Sequence, residues 1–314
     1  MGGTKILAAV INSKDGIIAR AKTATKSDSS EKDYIESLTE ITHEAISISG
    51  LRESKIKAVC LGIPGSVNPY TGRIGLAPNL GLKNFYIKGK LQKKINFPVL
   101  IENDVNLGAL GIKHFGVGKK NKNLLVMFIG TGIGGALIFD GKIYRGTNFM
   151  AGEIGHMIVE ENGPRCGCGK KGCFEAIASR TAIVRNILSD KRTKRKSKIG
   201  KLAPSGEKIK SKVLADAVRK KDKVVIEHLR NACYVTGTVA ANVSNLLNID
   251  MIVFGGGLME ALGDTMLPMI KSSYYKHVLS DAAVGTKLIK SKLADDAAIY
   301  GGIALAEEFL GVKV

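Results

Sequence analysis

Apolar segments of strand length alternate with segments of helical periodicity, and this alternation limits the fold more than any other feature of the chain. Residues 4–11 and 17–21 flank the pair Asp15-Gly16, a pattern that predicts a β-hairpin. Five apolar residues then recur at helical spacing: Tyr34, Leu38, Ile41, Ala45 and Ile48. Gly50 predicts the end of that helix. Three further apolar runs predict buried strands: 56–63, 98–101 and 249–254. The alternation therefore predicts an α/β fold.

The second half of the chain repeats the opening pattern. Residues 124–129 predict a strand, 130–135 a glycine turn, and 136–139 a returning strand that ends at Asp140-Gly141. The glycine- and lysine-rich segment 116–123 separates the two halves. This short match suggests two related halves, so we expect one α/β domain over residues 1–118 and a second over 119–297, followed by a helix.

The chain is strongly basic, with a formal net charge of +19 from 47 Lys and Arg against 28 Asp and Glu. Residues 191–212 contain ten of the basic residues and one acid, Glu207. This segment has few apolar residues, which predicts a solvated insertion. A nucleic-acid contact is the less favoured interpretation, because no aromatic residues are interleaved to stack on bases.

Composition excludes several other classes of protein. Among the 314 residues, 45% are hydrophobic and 24% are charged, which is typical of a globular chain and not of a disordered one. No apolar run approaches the 18–20 residues, roughly, that span a bilayer. The N-terminus lacks the features of a signal peptide. We therefore expect a cytoplasmic protein without a membrane partner.

Glycine runs adjoin predicted strands in three places. Residues 130–135 fit G-x-G-x-x-G but lead into a strand, whereas a dinucleotide site needs a helix there, so a Rossmann site is rejected. A glycine turn that exposes backbone N–H groups can instead bind phosphate oxygens. A single such turn would be an ordinary hairpin, but three together favour a nucleotide site. The predicted residues are Gly2, Gly3, Thr4, Lys5, Gly130, Thr131, Gly132, Ile133, Gly134, Gly135, Gly255, Gly256 and Gly257.

A cluster of soft ligands predicts a metal site. His156, Cys166, Cys168 and Cys173 form the pattern H-x9-C-x-C-x4-C. Four such ligands suit tetrahedral zinc, and they leave no open position for catalysis. The alternative is a group of buried or redox-active cysteines.

Several carboxylates and amides accompany this cluster. Asp104 and Asn103 follow a predicted strand at its carboxyl end, where ligands of α/β proteins bind. Glu153 and Glu175 lie close in sequence to the metal ligands. Each one alone would be a surface charge or a helix cap. Together they predict a pocket for a polyhydroxylated ligand, because each hydroxyl group both donates and accepts hydrogen bonds.

These motifs resemble the ROK family (repressor, open reading frame, kinase) of sugar kinases over essentially the whole chain. The most specific matches are Glu153-Ile154-Gly155-His156 and the segment from Cys166 to Glu175. Ala77-Pro78-Asn79-Leu80 and the segment 102–109 are supporting matches, and the stretch around Pro78-Asn79 and residues 106–109 look most like the glucokinase branch. The resemblance implies the two-domain, actin-like ATPase fold (ribonuclease H-like) with an interdomain cleft. It also implies that a C-terminal helix, 298–314, completes the N-terminal domain.

The resemblance further implies a reaction: transfer of the γ-phosphoryl group from Mg·ATP to the 6-hydroxyl of glucose. By motif position, Asp104 would be the catalytic base. Other positions would hold the sugar: Gly65, Asn79, Asn103, Asp104, Glu153, His156 and Glu175. Zinc would be structural, and the protein would be a homodimer.

Two departures and two alternatives accompany this prediction. The family has an acidic residue two positions before its Gly-Gly-Thr. In this sequence Met1 occupies the position between that acid and Gly2, so the place of the acid lies before Met1. We therefore expect the natural start to lie upstream. Leu82 stands where such glucokinases often have Trp. A kinase for N-acetylglucosamine or N-acetylmannosamine is the first alternative. A sugar-responsive transcriptional regulator is the distant one, since such regulators carry an N-terminal helix-turn-helix domain.

Overall fold

The structure is a computed structural model that describes residues 1–2, 5–25, 30–202 and 209–311. Gly3 and Thr4, which the sequence predicts to bind phosphate, lie outside these residues, as does the middle of the basic insertion. No helix in the described part of the chain combines the length and the apolar composition that crossing a bilayer demands.

Strands and helices alternate as the sequence predicts, which confirms the α/β class. The strands are β1 (Lys5–Asn12), β2 (Gly16–Ala24), β3 (Val59–Ile63), β4 (Ser66–Asn68), β5 (Arg73–Ala77), β6 (Leu82–Phe85), β7 (Val99–Asn103), β8 (Leu124–Ile129), β9 (Ile133–Phe139), β10 (Lys142–Tyr144), β11 (Met251–Gly255) and β12 (Lys287–Lys290). The helices are α1 (Glu31–Ser49), α2 (Ile87–Gln92), α3 (Asp104–Phe115), α4 (Phe174–Ala178), α5 (Arg180–Ser189), α6 (Thr193–Lys196), α7 (Ile199–Leu202), α8 (Ser211–Arg219), α9 (Lys223–Leu247), α10 (Gly257–His277), α11 (Ser280–Ala283) and α12 (Ala297–Leu310).

The chain forms two compact units. The first unit contains Met1–Lys119, Ile143–Ala151 and Asp295–Val314, and the second contains Lys120–Lys142 and Gly152–Ala294. The predicted boundaries placed residues 143–151 in the second domain, which differs from this division. The segment belongs to the first unit because its Arg145 forms ion pairs with Glu102 and Glu308 of that unit.

The first unit contains three small sheets around one apolar core. β1 and β2 form the predicted antiparallel hairpin, β3 and β7 pair in parallel, and β4, β5 and β6 form an antiparallel sheet. α1 begins with a capping box between Ser30 and Asp33 and ends at Gly50, whose φ is 67°. Two sequence predictions were wrong in detail: Ile48 is 56% exposed while Ile46 is buried, and β3 begins at Val59, later than predicted.

The C-terminal helix α12 packs against α3 within the first unit. Glycines face each other at this contact: a β-carbon at Gly111 would collide with the carbonyl oxygen of Ala297, and one at Gly301 would collide with that of Leu107. The two backbones therefore approach more closely than larger residues allow. As a result, α3 and the residues at its N-terminus have a rigid support.

The second unit contains four neighbouring strands in the order β9-β8-β11-β12. β8 and β9 are antiparallel, whereas β11 lies parallel to both β8 and β12. This confirms the predicted hairpin after residue 124. β9 begins at Ile133, however, so Gly134 and Gly135 lie inside the strand, opposite Phe128 and Met127, and not in the turn. The ladder extends earlier than predicted because glycine does not prevent strand pairing.

The basic insertion is more structured than the solvated loop that the sequence predicted. α6 and α7 lie within it, and Ile199 is buried. Asp222 accepts hydrogen bonds from the Ser197 hydroxyl at 2.7 Å and from the backbone N–H of Lys198 at 2.6 Å. Just before the insertion, Asp190 pairs with Arg192. These contacts attach both helices to the second unit, and residues 203–208 lie outside the described part.

Candidate functional site

Asp104 is the first residue of α3, directly after the end of the buried strand β7. Its Oδ1 accepts a hydrogen bond from the backbone N–H of Val105 at 3.0 Å. Burial raises the pKa of this carboxyl group above its ordinary value, because the charged form loses hydration. The strand-to-helix junction thus holds a carboxylate whose proton affinity is increased, which is a property of a general base.

Asn103 and Gly65 lie beside Asp104. The Asn103 side chain caps α3 by accepting from the N–H groups of Val105 and Asn106, and its Nδ2 donates to the carbonyl oxygen of Gly65 at 2.9 Å. Gly65 has a φ of 102°, and a β-carbon there would lie 2.9 Å from the Cα of Ala77. Its backbone conformation therefore requires glycine. Ala77 immediately precedes the single turn Pro78–Leu80, which contains the exposed Asn79.

Four predicted metal ligands converge in the second unit. One ligand atom from each of His156, Cys166, Cys168 and Cys173 lies within 4.8 Å of the others. Cys168 Sγ and Cys173 Sγ are 3.6 Å apart, and Cys166 Sγ is 3.7 Å from His156 Nδ1. Tetrahedral zinc with bonds of about 2.3 Å to sulfur separates its ligand atoms by about 3.6–3.8 Å. The donor set therefore fits a zinc ion in chemistry and in spacing.

Glycines shape the loop that carries these cysteines. Cys166 donates its N–H to the carbonyl oxygen of Lys170 at 2.8 Å, and Gly169 returns an N–H to Cys166 at 3.0 Å. Gly169 and Gly172 have φ values of 92° and 74°. A β-carbon at Gly172 would collide with the carbonyl oxygen of Glu160. The chain can therefore turn tightly enough to bring sulfur atoms from both sides of the loop together.

His156 and Glu153 extend the cluster away from the sulfur atoms. His156 is the last residue of the single turn Ile154–His156, and Glu153 directly precedes this turn. The Nδ1 atom of His156 faces Cys166, while its Nε2 atom lies 3.8 Å from a carboxylate oxygen of Glu153. The two ring nitrogens thus face different groups, and a metal bound at Nδ1 would fix the orientation of the ring.

Glu175 contacts both the cysteine cluster and the end of the glycine turn between β8 and β9. One of its oxygens, Oε2, accepts the backbone N–H of Ile133 at 2.8 Å, and the other lies 3.8 Å from Cys166 Sγ. Gly132 leaves room for this carboxylate, because a β-carbon there would collide with Oε2. The sequence predicted Glu175 as a sugar ligand but gave no sign of this contact, which joins residues 42 positions apart.

The turn between β8 and β9 is held at both ends. Gly130 donates its N–H to the carbonyl oxygen of Gly132 at 2.9 Å, and the Gly130 carbonyl oxygen accepts the N–H of Arg180 at 2.9 Å. The Arg180 side chain also donates to Thr131 Oγ1 at 2.6 Å. Within the described residues, the N–H groups of Thr131 and Gly132 donate to no protein acceptor. These two groups can bind an anion.

A second glycine segment lies beside this turn. Gly255 ends β11, Gly256 has a φ of 86°, and Gly257 begins the 21-residue helix α10. A β-carbon on Gly130 would lie 4.0 Å from the backbone nitrogen of Gly257. Two N–H-bearing segments therefore meet at the ends of the paired strands β8 and β11, and the helix N-terminus adds a positive dipole end.

The remaining predicted phosphate residues belong to the first unit. Gly2 donates its N–H to the carbonyl oxygen of Lys5 at 2.9 Å, and its own carbonyl oxygen accepts the Thr25 hydroxyl at 2.7 Å. The Lys5 ammonium group pairs with Asp295 at 3.1 Å. Lys5 is thus already bound to an acid in this structure.

Sequence reasoning missed Glu102 and Arg145. Glu102 lies in β7, two residues before Asp104, and is 1% exposed. Its carboxylate pairs with the Arg145 guanidinium at 2.7 Å. An acid directly after the apolar run 98–101 was the one signal in the sequence, and it points to a buried partner without naming it.

The fold and these sites together define a two-domain α/β protein of the actin-like ATPase fold. The ROK family profile matches residues 1–309, and the chain therefore belongs to the ROK family, as the motifs predicted. The chain is 33% identical over 306 residues to a glucokinase of Halalkalibacterium halodurans, covering 96% of this chain and 92% of that enzyme. A xylose repressor of Bacillus spizizenii is 30% identical over 268 residues, covering 84% of this chain and 65% of the repressor.

A solved structure is similar over nearly the whole chain. It is a ROK family glucokinase from Streptomyces griseus in complex with glucose and AMPPNP, with a TM-score of 0.84 and 27% identity. The alignment covers 98% of this chain and 97% of that enzyme. The predicted homodimer stays a prediction, which light scattering of the purified protein can test.

Proposed function

We propose that the protein transfers the γ-phosphoryl group of ATP to the 6-hydroxyl group of glucose. The observation that carries this proposal is the position of Asp104, a half-buried carboxylate at the N-terminus of α3, in a ROK family chain with glucokinase relatives. In the proposed reaction, Asp104 accepts the hydroxyl proton while the oxygen atom attacks the γ-phosphorus in line. The proton moves late in a loose transition state, so a carboxylate is a strong enough base.

The residues proposed to bind the sugar hydroxyls are Gly65, through its backbone, and the side chains of Asn79, Asn103, Asp104, Glu153, His156 and Glu175. Amides donate and accept hydrogen bonds, while carboxylates accept them. Together they can pair with hydroxyl groups that act as donors or as acceptors. This support is chemical, from the types of residue, together with the family motifs.

We propose that the β8–β9 turn and the Gly255–Gly257 segment bind the phosphates of ATP. The free N–H groups of Thr131 and Gly132 and the N-terminus of α10 support this assignment. We keep Gly2, Gly3, Thr4 and Lys5 as a proposed contact of the first unit. Mg²⁺, when bound with the nucleotide, would neutralise phosphate charge.

We propose that His156, Cys166, Cys168 and Cys173 hold a structural zinc ion. The ligand spacing supports this assignment. Four protein ligands complete a tetrahedral site, so the ion would fix the loop and would not take part in phosphoryl transfer. Its effect on the sugar would be exerted through the residues it orients, His156 and Glu175.

Gly256→Ala is expected to weaken both the fold and the binding of ATP. The φ of 86° and ψ of 160° at Gly256 belong to a region that other residues avoid, and a β-carbon would lie 2.7 Å from the carbonyl oxygen of Ile129. We expect the free energy of unfolding to fall by about 1–3 kcal/mol and the KM for ATP to rise. Denaturant unfolding and initial rates measure these two effects.

The control for this change is Gly200→Ala in α7, where a β-carbon meets no atom within 4 Å. That variant should match or exceed the stability of the parent and keep its KM for ATP, since alanine favours a helix more than glycine does. Equal stability and equal KM values for Gly256→Ala and the parent would contradict the assignment.

The experiment that tests the proposed function is a coupled ADP-release assay with a panel of sugars. Glucose, N-acetylglucosamine and N-acetylmannosamine are compared at equal concentrations, with Asp104→Asn as the control for contaminating kinases. We expect the largest kcat/KM for glucose. A preference for either acetylated sugar would replace glucose as the substrate, and the absence of ADP release with all three would reject the kinase assignment.

A further inference from the structure

An ion pair in the first unit lies behind the proposed catalytic base. Arg145 and Glu102 are 8% and 1% exposed, and Nε of Arg145 donates to Oε2 of Glu102 at 2.7 Å. The two terminal nitrogens of Arg145 donate to the two carboxylate oxygens of Glu308 on α12, at 2.8 and 3.0 Å. The rings of Tyr70 and Phe309 lie 5.9 and 5.7 Å from the guanidinium carbon. Every nitrogen of Arg145 is thus held in place.

The second oxygen of Glu102 reaches the residues on both sides of Asp104. Glu102 Oε1 accepts the backbone N–H of Asn103 at 2.9 Å and the Nδ2 of Asn106 at 3.1 Å. Asn103 in turn caps α3 through the N–H groups of Val105 and Asn106. One carboxylate therefore fixes the residue before Asp104 and the residue two positions after it.

A buried ion pair of this kind is an expensive way to stabilise a fold, because removing two charges from water costs about as much as their attraction returns. Apolar residues of similar size would fill the same space without that cost. The presence of two buried charges here therefore calls for another explanation, and the hydrogen bonds of Glu102 to Asn103 and Asn106 supply one.

We propose that Arg145 and Glu102 are positioning residues, which hold the β7–α3 junction so that the Asp104 carboxylate faces the hydroxyl group it deprotonates. Arg145 orients Glu102, and Glu102 orients the backbone on either side of the base. Neither residue contacts the substrate in this scheme. The proposal rests on the proposed kinase function, and a displacement of about 1 Å at a reacting group can cost about 10²-fold in rate.

The first test compares three variants at saturating glucose and ATP. Arg145→Met and Glu102→Leu are each expected to lower kcat about 10–100-fold while the KM for ATP stays within about twofold of the parent. Glu308→Gln is the matched control: it also contacts Arg145, but its side chain is 39% exposed and bonds to neither asparagine. We expect kcat of that variant to stay within about threefold, as for surface pairs.

The second test separates positioning from a general loss of stability. The double variant Arg145→Met/Glu102→Leu removes both charges, so its melting temperature should recover above that of Arg145→Met alone, while kcat stays low. In an Asp104→Asn background, Arg145→Met should leave the residual rate unchanged, because the group that it positions is gone.

Three results would overturn the inference: recovery of kcat together with stability in the double variant, an equal fractional loss of rate from Arg145→Met with and without Asp104, or parental kcat in both single variants. These failures are distinct from failure of the proposed function. If the parent itself phosphorylates none of the sugars, both proposals fall; if the parent is active, only the positioning role is rejected.

Discussion

Asp104→Asn is expected to lower kcat for glucose phosphorylation by about 10³-fold, the range that general-base catalysis supplies. The amide has nearly the same shape and can still accept the N–H of Val105, but it cannot take the hydroxyl proton. Initial rates of ADP release at saturating substrates measure the loss. Asp281→Asn, at the exposed start of α11, is the control for an unspecific effect of an amide and should retain full activity.

The same substitution should not lower the stability of the protein at pH 7. Burial raises the pKa of Asp104, so the ionised carboxylate is disfavoured in the folded state, and the cost appears as the pH rises above the unfolded value of about 3.9. The amide carries no such cost, and we expect an equal or higher melting temperature. For the parent, we expect the loss of kcat/KM on the acid side to occur at a pH above about 4, the ordinary pKa of an aspartate. A marked fall in melting temperature together with the rate loss would indicate a structural role instead.

Cys173→Ser is expected to remove the bound metal and to weaken glucose binding by about 10–100-fold, as loss of a metal's supporting contacts does elsewhere. Cys173 is fully buried and caps the short helix α4, in which Glu175 is the second residue. Without the ion, the loop keeps only its backbone hydrogen bonds, and His156 and the Glu175 contact with Ile133 lose the support that the ion would add. Elemental analysis gives the zinc content, and calorimetry gives the affinity for glucose without relying on turnover.

Cys60→Ser is the matched control for the metal site. Cys60 is a cysteine outside the cluster, and its Sγ donates to the carbonyl oxygen of Gly302 at 3.2 Å, a bond that a serine hydroxyl can also make. We expect one zinc per chain and parental glucose affinity in this variant. The zinc assignment fails if the parent contains no zinc, or if Cys173→Ser retains both the ion and the affinity.

Local signals in the sequence predicted much of the fold. Hairpins at Asp15-Gly16 and after residue 124 and the end of α1 at Gly50 follow from turn residues and periodicity. The errors lie where tertiary packing decides. Ile48 satisfies the helical period but faces solvent, and the extent of β9 depends on pairing with β8, which no local pattern records.

Parts of the candidate site could also be predicted, and the limit has a physical cause. The cysteine cluster is nearly contiguous in sequence, so its members were found together, and the structure brings all four ligand atoms into one place. The contacts of Glu175 with Ile133 and of Arg145 with Glu102 join residues 42 and 43 positions apart. Such contacts depend on the path of the whole chain, and a single sequence contains no period or spacing that announces them.

The glycine-to-glycine contact of α12 with α3 also has a consequence for biosynthesis. Asp104, which begins α3, is translated 193 residues before Ala297, which begins the helix that supports it. Domains usually fold as they emerge, N-terminal first. The first unit therefore stays incomplete until the intervening 143 residues of Gly152–Ala294 have been made. A stalled or shortened nascent chain would lack the helix that supports Asp104.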